Sequence, residues 1–210
     1  MLKKLAAVLA LALTPMLAHA QEATPSPSPA ASPAVEVQDF SLGDPAAKVQ
    51  ITEYASFTCP HCARFHETVW SDLKKNYIDT GKVHFTYREV YFDRYGLWAA
   101  MMARCGGELR YFGIVDILFS TQKEWAGSED PNVTVENLKK IGRSVGMDDA
   151  GLDVCMKDQA QAEALVAHFQ KGMTDDGIEG TPTFIVNGTK HSGEMSYEEF
   201  AKIVDDELAK

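Results

Sequence analysis

Hydrophobic and polar residues in the N-terminal half follow the period of a strand, then that of a helix, and then that of a strand again. Val49, Ile51 and Ala55 fall on one face of residues 48–56, which is the spacing of a β-strand. Apolar side chains recur at helical spacing in residues 65–77, and Gly81 ends that helix. Residues 82–90 return to the strand spacing. The pattern predicts a β-α-β unit in which residues 57–62 connect the first strand to the helix.

The middle of the chain lacks strand alternation and is rich in residues that favour helices. Gly106 and Gly107 interrupt this region, and so does the stretch 127–131. We therefore predict a block of four helices, at residues 95–104, 109–125, 135–145 and 151–170.

The C-terminal part is predicted to form two short strands and a helix. Asn187 and Gly188 form a dipeptide that strongly favours a two-residue hairpin, and they follow a short apolar run at residues 181–186. Ser196 and Glu199 have the spacing of a capping box, and an amphipathic helical pattern follows them. The predicted order of elements is β-α-β, the block of helices, and then β-β-α.

The N-terminus has the features of a secretory signal peptide. Two lysines precede an apolar run at residues 5–13, and an Ala-His-Ala triplet ends at Ala20. A membrane anchor would need roughly 20 apolar residues, which is more than this run contains. We predict that residues 1–20 are a signal peptide cleaved after Ala20. Residues 21–38 are rich in proline, serine and alanine and are predicted to be an extended linker, so the folded unit should begin near Asp39.

Composition supports one globular domain and argues against a nucleic-acid partner. The 210 residues are 45% hydrophobic and 24% charged, which allows a conventional core. The formal net charge of −10 becomes −12 when Lys3 and Lys4 are removed with the signal peptide. Such a negative chain has no electrostatic reason to bind a phosphate backbone.

Cys59 and Cys62 form a C-x-x-C pair at the predicted passage from strand into helix. Pro60 is tolerated in a first helical turn, and Thr58 is a candidate N-cap. A thiol at a helix N-terminus is stabilised as a thiolate by unpaired amides and the helix dipole, and His61 can add positive charge. Two alternatives are half of a zinc site and an inert structural disulfide. Zinc would need two further ligands, and the remaining histidines and cysteines are scattered.

Glu53 is an anomaly in the first predicted strand. It falls in phase with the apolar positions of residues 48–56 and would therefore point into the core. A buried carboxylate costs several kcal/mol unless it is protonated, paired or hydrated. Either Glu53 has a functional role or it lies where water can reach it.

The β-α-β unit with Cys59-Pro60-His61-Cys62, the helical block, and Thr181-Pro182 before a strand resemble the DsbA-type thiol-disulfide oxidoreductases of the thioredoxin superfamily. The resemblance covers the chain from about residue 39 onward. It implies an α/β, thioredoxin-like fold at residues 39–92 and 176–210, with an inserted α-helical domain at 93–175.

The resemblance also implies roles for individual residues. Cys59 would be the nucleophile that forms mixed disulfides, Cys62 would resolve them, and His61 would tune the thiolate. Glu53 would be the buried acid beneath the cysteines, acting as a proton-transfer or tuning group. Pro182 would be the family's cis-proline, whose loop offers backbone to a substrate.

Two positions depart from the best-known members of this family. Thr181 stands where they carry valine, and threonine is more typical of the isomerase branch. His66 stands where they can carry an acid. A lone helical histidine is most simply a solvated surface residue, so we expect His66 to be exposed.

Cys105 and Cys155 remain after the C-x-x-C pair is assigned. Two free thiols would be hazardous in an oxidising compartment, so we predict a structural disulfide that staples the helical block. The alternative is a second redox relay pair.

These observations predict a monomeric periplasmic dithiol oxidase that acts on reduced or unfolded exported polypeptides and needs no cofactor or metal. By the resemblance, a quinone-linked membrane oxidase of the DsbB type would reoxidise it. One alternative is an isomerase or reductase kept reduced by a membrane electron donor. Another is a non-catalytic chaperone or metal-binding module, which would keep its activity without Cys59.

Overall fold

The computed structural model describes residues 35–210, so the predicted signal peptide and most of the predicted linker lie outside the described residues. Five strands form one mixed sheet in the order β1-β3-β2-β4-β5. Only β2 and β3 pair in parallel; the other neighbours are antiparallel. The strands are β1 Phe40–Leu42, β2 Val49–Ala55, β3 Val83–Glu89, β4 Thr183–Val186 and β5 Thr189–Ser192.

Helices follow β2, fill the middle of the chain and close the C-terminus. A long helix at residues 60–78 consists of α1 and α2 alternating with π-helical turns at His66–Trp70 and Lys74–Ile78; we call it the kinked helix. The nine α-helical segments within residues 35–210 are α1 Pro60–Phe65, α2 Ser71–Leu73, α3 Arg94–Cys105, α4 Glu108–Ser120, α5 Gln122–Ala126, α6 Pro131–Ser144, α7 Asp149–Met156, α8 Gln159–Asp175 and α9 Tyr197–Ala209.

The predicted order of elements is confirmed, but two of the four middle helices are broken. The helix predicted at residues 109–125 is interrupted at Thr121, where the backbone leaves helical angles and the hydroxyl donates to the Ile117 carbonyl at 2.7 Å. The helix predicted at 151–170 breaks before α8, because the Asp158 side chain accepts from the backbone amide of Gln161 and caps a new helix. Propensity alone did not place either break.

Two smaller predictions need correction. The short strand β1 was not expected; it pairs with β3 at the edge of the sheet. Thr58 is not the N-cap of the kinked helix, since its hydroxyl donates to Asp93 Oδ2 at 2.7 Å and Cys59 occupies the cap position. Asp93 in turn caps α3, so this contact ties the start of the helical block to the loop that carries the cysteines.

The C-terminal elements form as predicted. Asn187 and Gly188 both adopt positive φ angles, as a two-residue turn between β4 and β5 requires. Ser196 and Glu199 form the reciprocal hydrogen bonds of a capping box at the start of α9.

The central strand β2 presents one face to the kinked helix and α9, and the other face to α8. Glu53 lies opposite Phe184 of β4, and the Phe184 ring packs on Phe65 of the kinked helix and Phe200 of α9. Tyr54 points to the opposite face, where its hydroxyl donates to the backbone carbonyl of Gly172 in α8. Both faces are therefore covered, and a polar side chain on either one must find a partner inside the protein.

The helical block closes over the kinked helix and β3. Phe119 of α4 packs on Phe57 and on His66, with ring centroids 5.3 and 4.1 Å apart. Arg104 of α3 forms a buried ion pair with Glu89, which also accepts from the Tyr111 hydroxyl. Between residues 35 and 210, no helix combines the length and apolarity required to cross a membrane.

Candidate active site

The two cysteines of the C-x-x-C pair occupy different environments at the start of the kinked helix. Cys59 is the N-cap residue, with extended backbone angles, and Pro60 takes the first helical position. Cys59 is partly exposed, whereas Cys62 lies within the first turn and is completely buried. Both are free thiols in this structure. An incoming sulfur can therefore reach Cys59 more readily than Cys62.

The Cys59 sulfur is surrounded by groups that stabilise negative charge. The pKa of Cys59 is lowered to about 5, mainly by a hydrogen bond from the Cys62 thiol. Burial opposes this shift, whereas the Thr181 side chain and the backbone amides of Cys62 and His61 add to it. These amides are the unpaired donors of the helix N-terminus. Cys59 is thus ionised at neutral pH, and the thiolate is both the nucleophile and the stable form.

The Cys62 thiol is held in its protonated form. Burial raises the pKa of Cys62 well above its usual range, and the hydrogen bond to Cys59 and the charges of Glu53 and Cys59 act in the same direction. Two thiols separated by two residues are thus driven to opposite protonation states.

The loop before β4 lies against the Cys59 sulfur. The Thr181–Pro182 peptide bond is cis, and the Cys59 sulfur lies 3.4 Å from the Thr181 carbonyl oxygen. The Thr181 hydroxyl is buried and has no well-formed hydrogen bond to another group of residues 35–210. It nevertheless lowers the pKa of Cys59 by favouring the ionised sulfur. Thr181, Pro182 and the cysteines therefore form one cluster.

His61 points outward and is bound by two charged side chains. Its Nδ1 lies 3.1 Å from a carboxylate oxygen of Glu194 and 2.9 Å from Nη2 of Arg64. A guanidinium only donates and a carboxylate only accepts, so these two contacts favour opposite protonation states of Nδ1. Although desolvation opposes it, hydrogen bonds from His61 and Arg64 hold the pKa of Glu194 below its usual value.

The structure corrects the expectation that His66 is a solvated surface residue. The His66 side chain is 3% exposed, and its Nε2 lies 3.1 Å from an oxygen of Glu53, which is fully buried. The kinked helix buries Cys62, Phe65 and His66 together, and the Phe119 ring stacks on the histidine. His66 is four residues after Cys62, so the two share a helix face, and this spacing is the signal that could have found it.

Gln122 is a site residue that the sequence pattern did not identify. Its side-chain amide donates to the backbone carbonyl of Phe57 at 2.8 Å and to that of Cys59 at 3.0 Å. These bonds fix the loop that enters the kinked helix. Nothing in the sequence separates Gln122 from other polar residues of the helical block, because its partners come from a distant part of the chain.

Cys105 and Cys155 form a disulfide that joins α3 to α7, with 5.9 Å between their Cα atoms. Both residues belong to the helical block, and the loop that they close spans 50 residues. Residues 35–210 contain no group of three or more histidine, cysteine or acidic side chains arranged to hold a metal ion.

Comparison with known proteins identifies the family. A family model described as thioredoxin matches residues 36–206. The chain belongs to the thioredoxin family. A protein of Rickettsia felis named as a protein-disulfide oxidoreductase is 35% identical over 175 residues, which is 83% of this chain and 62% of that protein. The chain thus spans about three fifths of that relative's length. Disulfide bond formation protein D of Bacillus subtilis is 23% identical over 180 residues, 80% of this chain and 76% of that protein.

Solved structures place this thioredoxin-family chain among the DsbA proteins. The crystal structure of alpha-DsbA1 from Wolbachia pipientis has a TM-score of 0.75 and 29% identity, covering 81% of this chain and 91% of that one. Oxidised BdbD from Bacillus subtilis shares the fold at a TM-score of 0.72 and 21% identity, covering 82% of this chain and 94% of that one. The thioredoxin-like fold is confirmed, and the helices between β3 and β4 are consistent with the predicted inserted domain.

Proposed function

We propose that this DsbA-like thiol-disulfide oxidoreductase is an exported dithiol oxidase that donates a Cys59–Cys62 disulfide to reduced substrate proteins. The observation that carries the proposal is the opposite ionisation of the two thiols. The pKa of Cys59 falls to about 5, whereas that of Cys62 is raised. A stabilised thiolate favours the reduced enzyme, and the disulfide is then the stronger oxidant.

The reaction proceeds by two sulfur exchanges. A substrate thiolate attacks Cys59, the Cys59–Cys62 bond breaks, and Cys62 leaves with the electron pair and takes up a proton. A second substrate thiolate then attacks the substrate sulfur of this mixed disulfide, and Cys59 leaves as a thiolate. The substrate loses two electrons and gains a disulfide, and the enzyme is left as a dithiol. The low pKa of Cys59 favours the second exchange, because thiols of lower pKa leave faster.

The surrounding residues support this chemistry in distinct ways. Pro60 fixes the first helical turn, and the backbone amide of His61 helps to stabilise the Cys59 thiolate. Thr181 and Pro182 place a backbone carbonyl beside the attacked sulfur. Glu53 is the acid that exchanges a proton with Cys62, whose pKa its charge already raises.

We also propose which parts of the chain carry the chemistry and in which compartment the enzyme acts. Residues 39–92 and 176–210 would carry the chemistry, and the inserted helices at 93–175 would cover it. The sequence of residues 1–20 supports export to the periplasm. There the enzyme would act as a monomer on reduced or unfolded polypeptides, with a DsbB-type membrane oxidase as its electron acceptor.

A second candidate function rests on Thr181. Its side chain lowers the pKa of Cys59, and threonine at this position is the feature that suggested the isomerase branch. An isomerase or reductase would use the same cysteines but would be kept reduced. The two functions differ in the potential of the Cys59–Cys62 couple.

Equilibration in graded glutathione buffers tests the proposal. Alkylation and peptide mass spectrometry would follow each cysteine pair separately in a protein of residues 21–210. We expect Cys59–Cys62 to have a potential well above the roughly −270 mV of thioredoxin, and Cys105–Cys155 to stay closed. Each pKa unit of thiolate stabilisation corresponds to about 1.36 kcal/mol, or about 30 mV for the two-electron couple.

The matched control is Cys59→Ser, which should abolish oxidation of reduced ribonuclease A and any mixed disulfide with it. A potential near or below that of thioredoxin would contradict the oxidase and favour the reductase or isomerase. Activity retained by Cys59→Ser would contradict both and favour a chaperone or binding module.

A further inference from the structure

The buried pair of Glu53 and His66 lies between Cys62 and an open groove. We propose that His66 is a positioning residue that passes protons between Glu53 and this groove, so that Cys62 can lose and regain its proton without solvent contact. The inference rests on the proposed thiol exchange at Cys59 and Cys62. Its first support is the contact of 3.1 Å between His66 Nε2 and a Glu53 oxygen.

The Glu53–His66 pair has few other partners. Glu53 Oε1 and His66 Nδ1 are both buried, and neither has a hydrogen-bond partner among residues 35–210. A buried carboxylate with one polar neighbour is strongly disfavoured unless it is neutral or paired with a cation. In the proposed route this contact holds one shared proton, either on Glu53 beside neutral His66 or on His66 beside ionised Glu53. Moving that proton changes no net charge in the core.

The pair is close to the thiol that needs it. Cys62 and His66 are four residues apart and share the buried face of the kinked helix. The charge of Glu53 raises the pKa of Cys62, which places this carboxyl within electrostatic reach of the sulfur. Completely buried Cys62 has no direct contact with water, so its proton must travel through protein groups.

The groove gives His66 an outlet. It has a volume of about 950 Å³ and runs between the kinked helix and the α4–α5 region; His66, Trp70, Asp116 and Phe119 are among its lining residues. Glu53 of β2 and Tyr87 of β3 also pack on His66 and are buried. His66 is thus the side chain common to the buried acid and the groove.

Other titratable groups also face this pair from each neighbouring element. Asp116 of α4 lies near His66, and burial raises its pKa while the His66 charge lowers it. Burial raises the pKa of Tyr87 well above its usual range, and the charges of Glu53 and Cys62 add to this effect. Tyr87 therefore stays neutral, and Asp116 lies on the groove side, where it can receive or return a proton.

The proton path balances with the sulfur chemistry. When a mixed disulfide at Cys59 closes, the Cys62 proton goes to Glu53, and the Cys62 sulfur attacks Cys59. The bond from Cys59 to the partner sulfur breaks, and the partner leaves as a thiolate. The proton held between Glu53 and His66 is displaced onto the imidazole, and the imidazole releases its other ring proton into the groove that the His66 side chain lines. The reverse path protonates Cys62 when it leaves.

The aromatic disulfide 5,5′-dithiobis(2-nitrobenzoate) releases a coloured thiolate when a protein thiol attacks it. Its reaction with the reduced full-length protein separates attack by Cys59 from disulfide closure by Cys62. The first equivalent of coloured thiolate reports attack by Cys59, and the second reports closure by Cys62. His66→Gln keeps a hydrogen-bonding group but cannot carry a proton. We expect the first phase to stay within about twofold and the second to slow by about 10- to 100-fold, as for loss of general acid–base assistance.

Two further variants test whether the pair acts as one unit. Glu53→Gln should slow the second phase in the same way, and the double variant should be no slower than the slower single variant. All three should flatten the dependence of this phase on pH. Added imidazole should accelerate the second phase of His66→Ala through the groove. His84→Gln is the matched control, because His84 contacts Gln50 on the sheet away from the cysteines, and both of its phases should be unchanged.

Equal slowing of both phases, or additive effects of the two substitutions, would overturn the proposal and assign His66 a packing role. If the variants do not fold, the native protein still decides, because a second phase without a solvent deuterium isotope effect would also overturn it. This assay does not depend on the redox potential. A low potential with a His66-dependent second phase would therefore refute the oxidase while leaving the proton route intact.

Discussion

The two cysteine pairs lie at opposite ends of helices. Cys59 caps the N-terminus of the kinked helix, where unpaired amides and the positive end of the dipole favour a thiolate. Cys105 is the last residue of α3, and Cys155 lies in the last turn of α7, where the dipole favours a neutral sulfur. The same chemical group is thus reactive at one helix end and suited to a stable cross-link at the other.

The pairs also differ in the length of chain that they close. The Cys59–Cys62 disulfide would close a loop within one helical turn, which restrains the unfolded chain little. The Cys105–Cys155 disulfide closes 50 residues of the helical block. A difference in local electrostatics and a difference in loop length therefore assign redox chemistry to one pair and stability to the other. This assignment can be tested on each pair in turn.

Removing the long-range disulfide should have the largest effect. We expect Cys105→Ala with Cys155→Ala to lower the free energy of unfolding by about 4 kcal/mol, the chain-entropy value for a loop of this length. Urea unfolding of the wild-type and double-variant proteins, both with Cys59 and Cys62 reduced, measures it. The potential of Cys59–Cys62 in glutathione buffers should not change.

The control is the same comparison under reductant strong enough to open both pairs. The two proteins should then converge, because neither has the cross-link. A double variant with unchanged stability but a shifted Cys59–Cys62 potential would break the division of roles and favour the alternative of a second redox relay pair.

The Cys59 thiolate should make the stability of the reduced protein depend on pH. Its pKa of about 5 lies below the ordinary 9.0, so ionisation stabilises the folded reduced protein above pH 5, increasingly up to pH 9. The disulfide form has no such group. The stability of reduced relative to oxidised protein should therefore fall as pH is lowered from 7 to 5 and level off below 5.

The expected slope is at most about 1.36 kcal/mol per pH unit, and less because water screens the half-exposed sulfur. Denaturant unfolding of both redox forms at each pH measures it, and groups common to both forms cancel in the difference. The reduced wild type compared with reduced Cys59→Ser should show the same slope. A difference that grows as pH falls would contradict an ionised Cys59.

Much of the architecture could be predicted from local sequence patterns. Alternation predicted β2 and β3, and Asn187-Gly188 predicted the β4–β5 hairpin, because these signals depend on neighbours in the chain. The in-phase position of Glu53 predicted a carboxyl inside the core, and it is fully buried. Local sequence patterns were sufficient wherever a feature depends on neighbours in the chain or only on whether a side chain is buried.

The contacts that complete the site are long-range, and the sequence did not reveal them. Gln122 reaches the Cys59 carbonyl from the helical block, and Glu194 reaches His61 from the loop before α9. His66 was wrongly expected at the surface, because a polar residue type outweighed its position on the buried helix face. A polar side chain on a buried face needs a polar partner. The partner of His66 is Glu53, the carboxyl that the strand pattern had already placed in the core.

The smallest expected effect concerns the buried Thr181 hydroxyl, which belongs to the loop that lies against the Cys59 sulfur. Thr181→Val keeps the β-branched shape and removes the hydroxyl that favours an ionised Cys59. We expect the pKa of Cys59 to rise by about one unit, as for the loss of one hydrogen bond to an anion, and the potential to fall by about 30 mV. The pH dependence of Cys59 alkylation measures the pKa.

Thr181→Ser keeps a hydroxyl and is the matched control, so its Cys59 should titrate close to the wild type. The Cys105–Cys155 disulfide should be equally resistant to reductant in both variants, since its sulfurs lie in the helical block rather than against the Thr181 loop. An unchanged or lower Cys59 pKa in Thr181→Val would show that the hydroxyl does not stabilise the thiolate. The backbone amides of the helix N-terminus and the Cys62 thiol would then account for the thiolate alone.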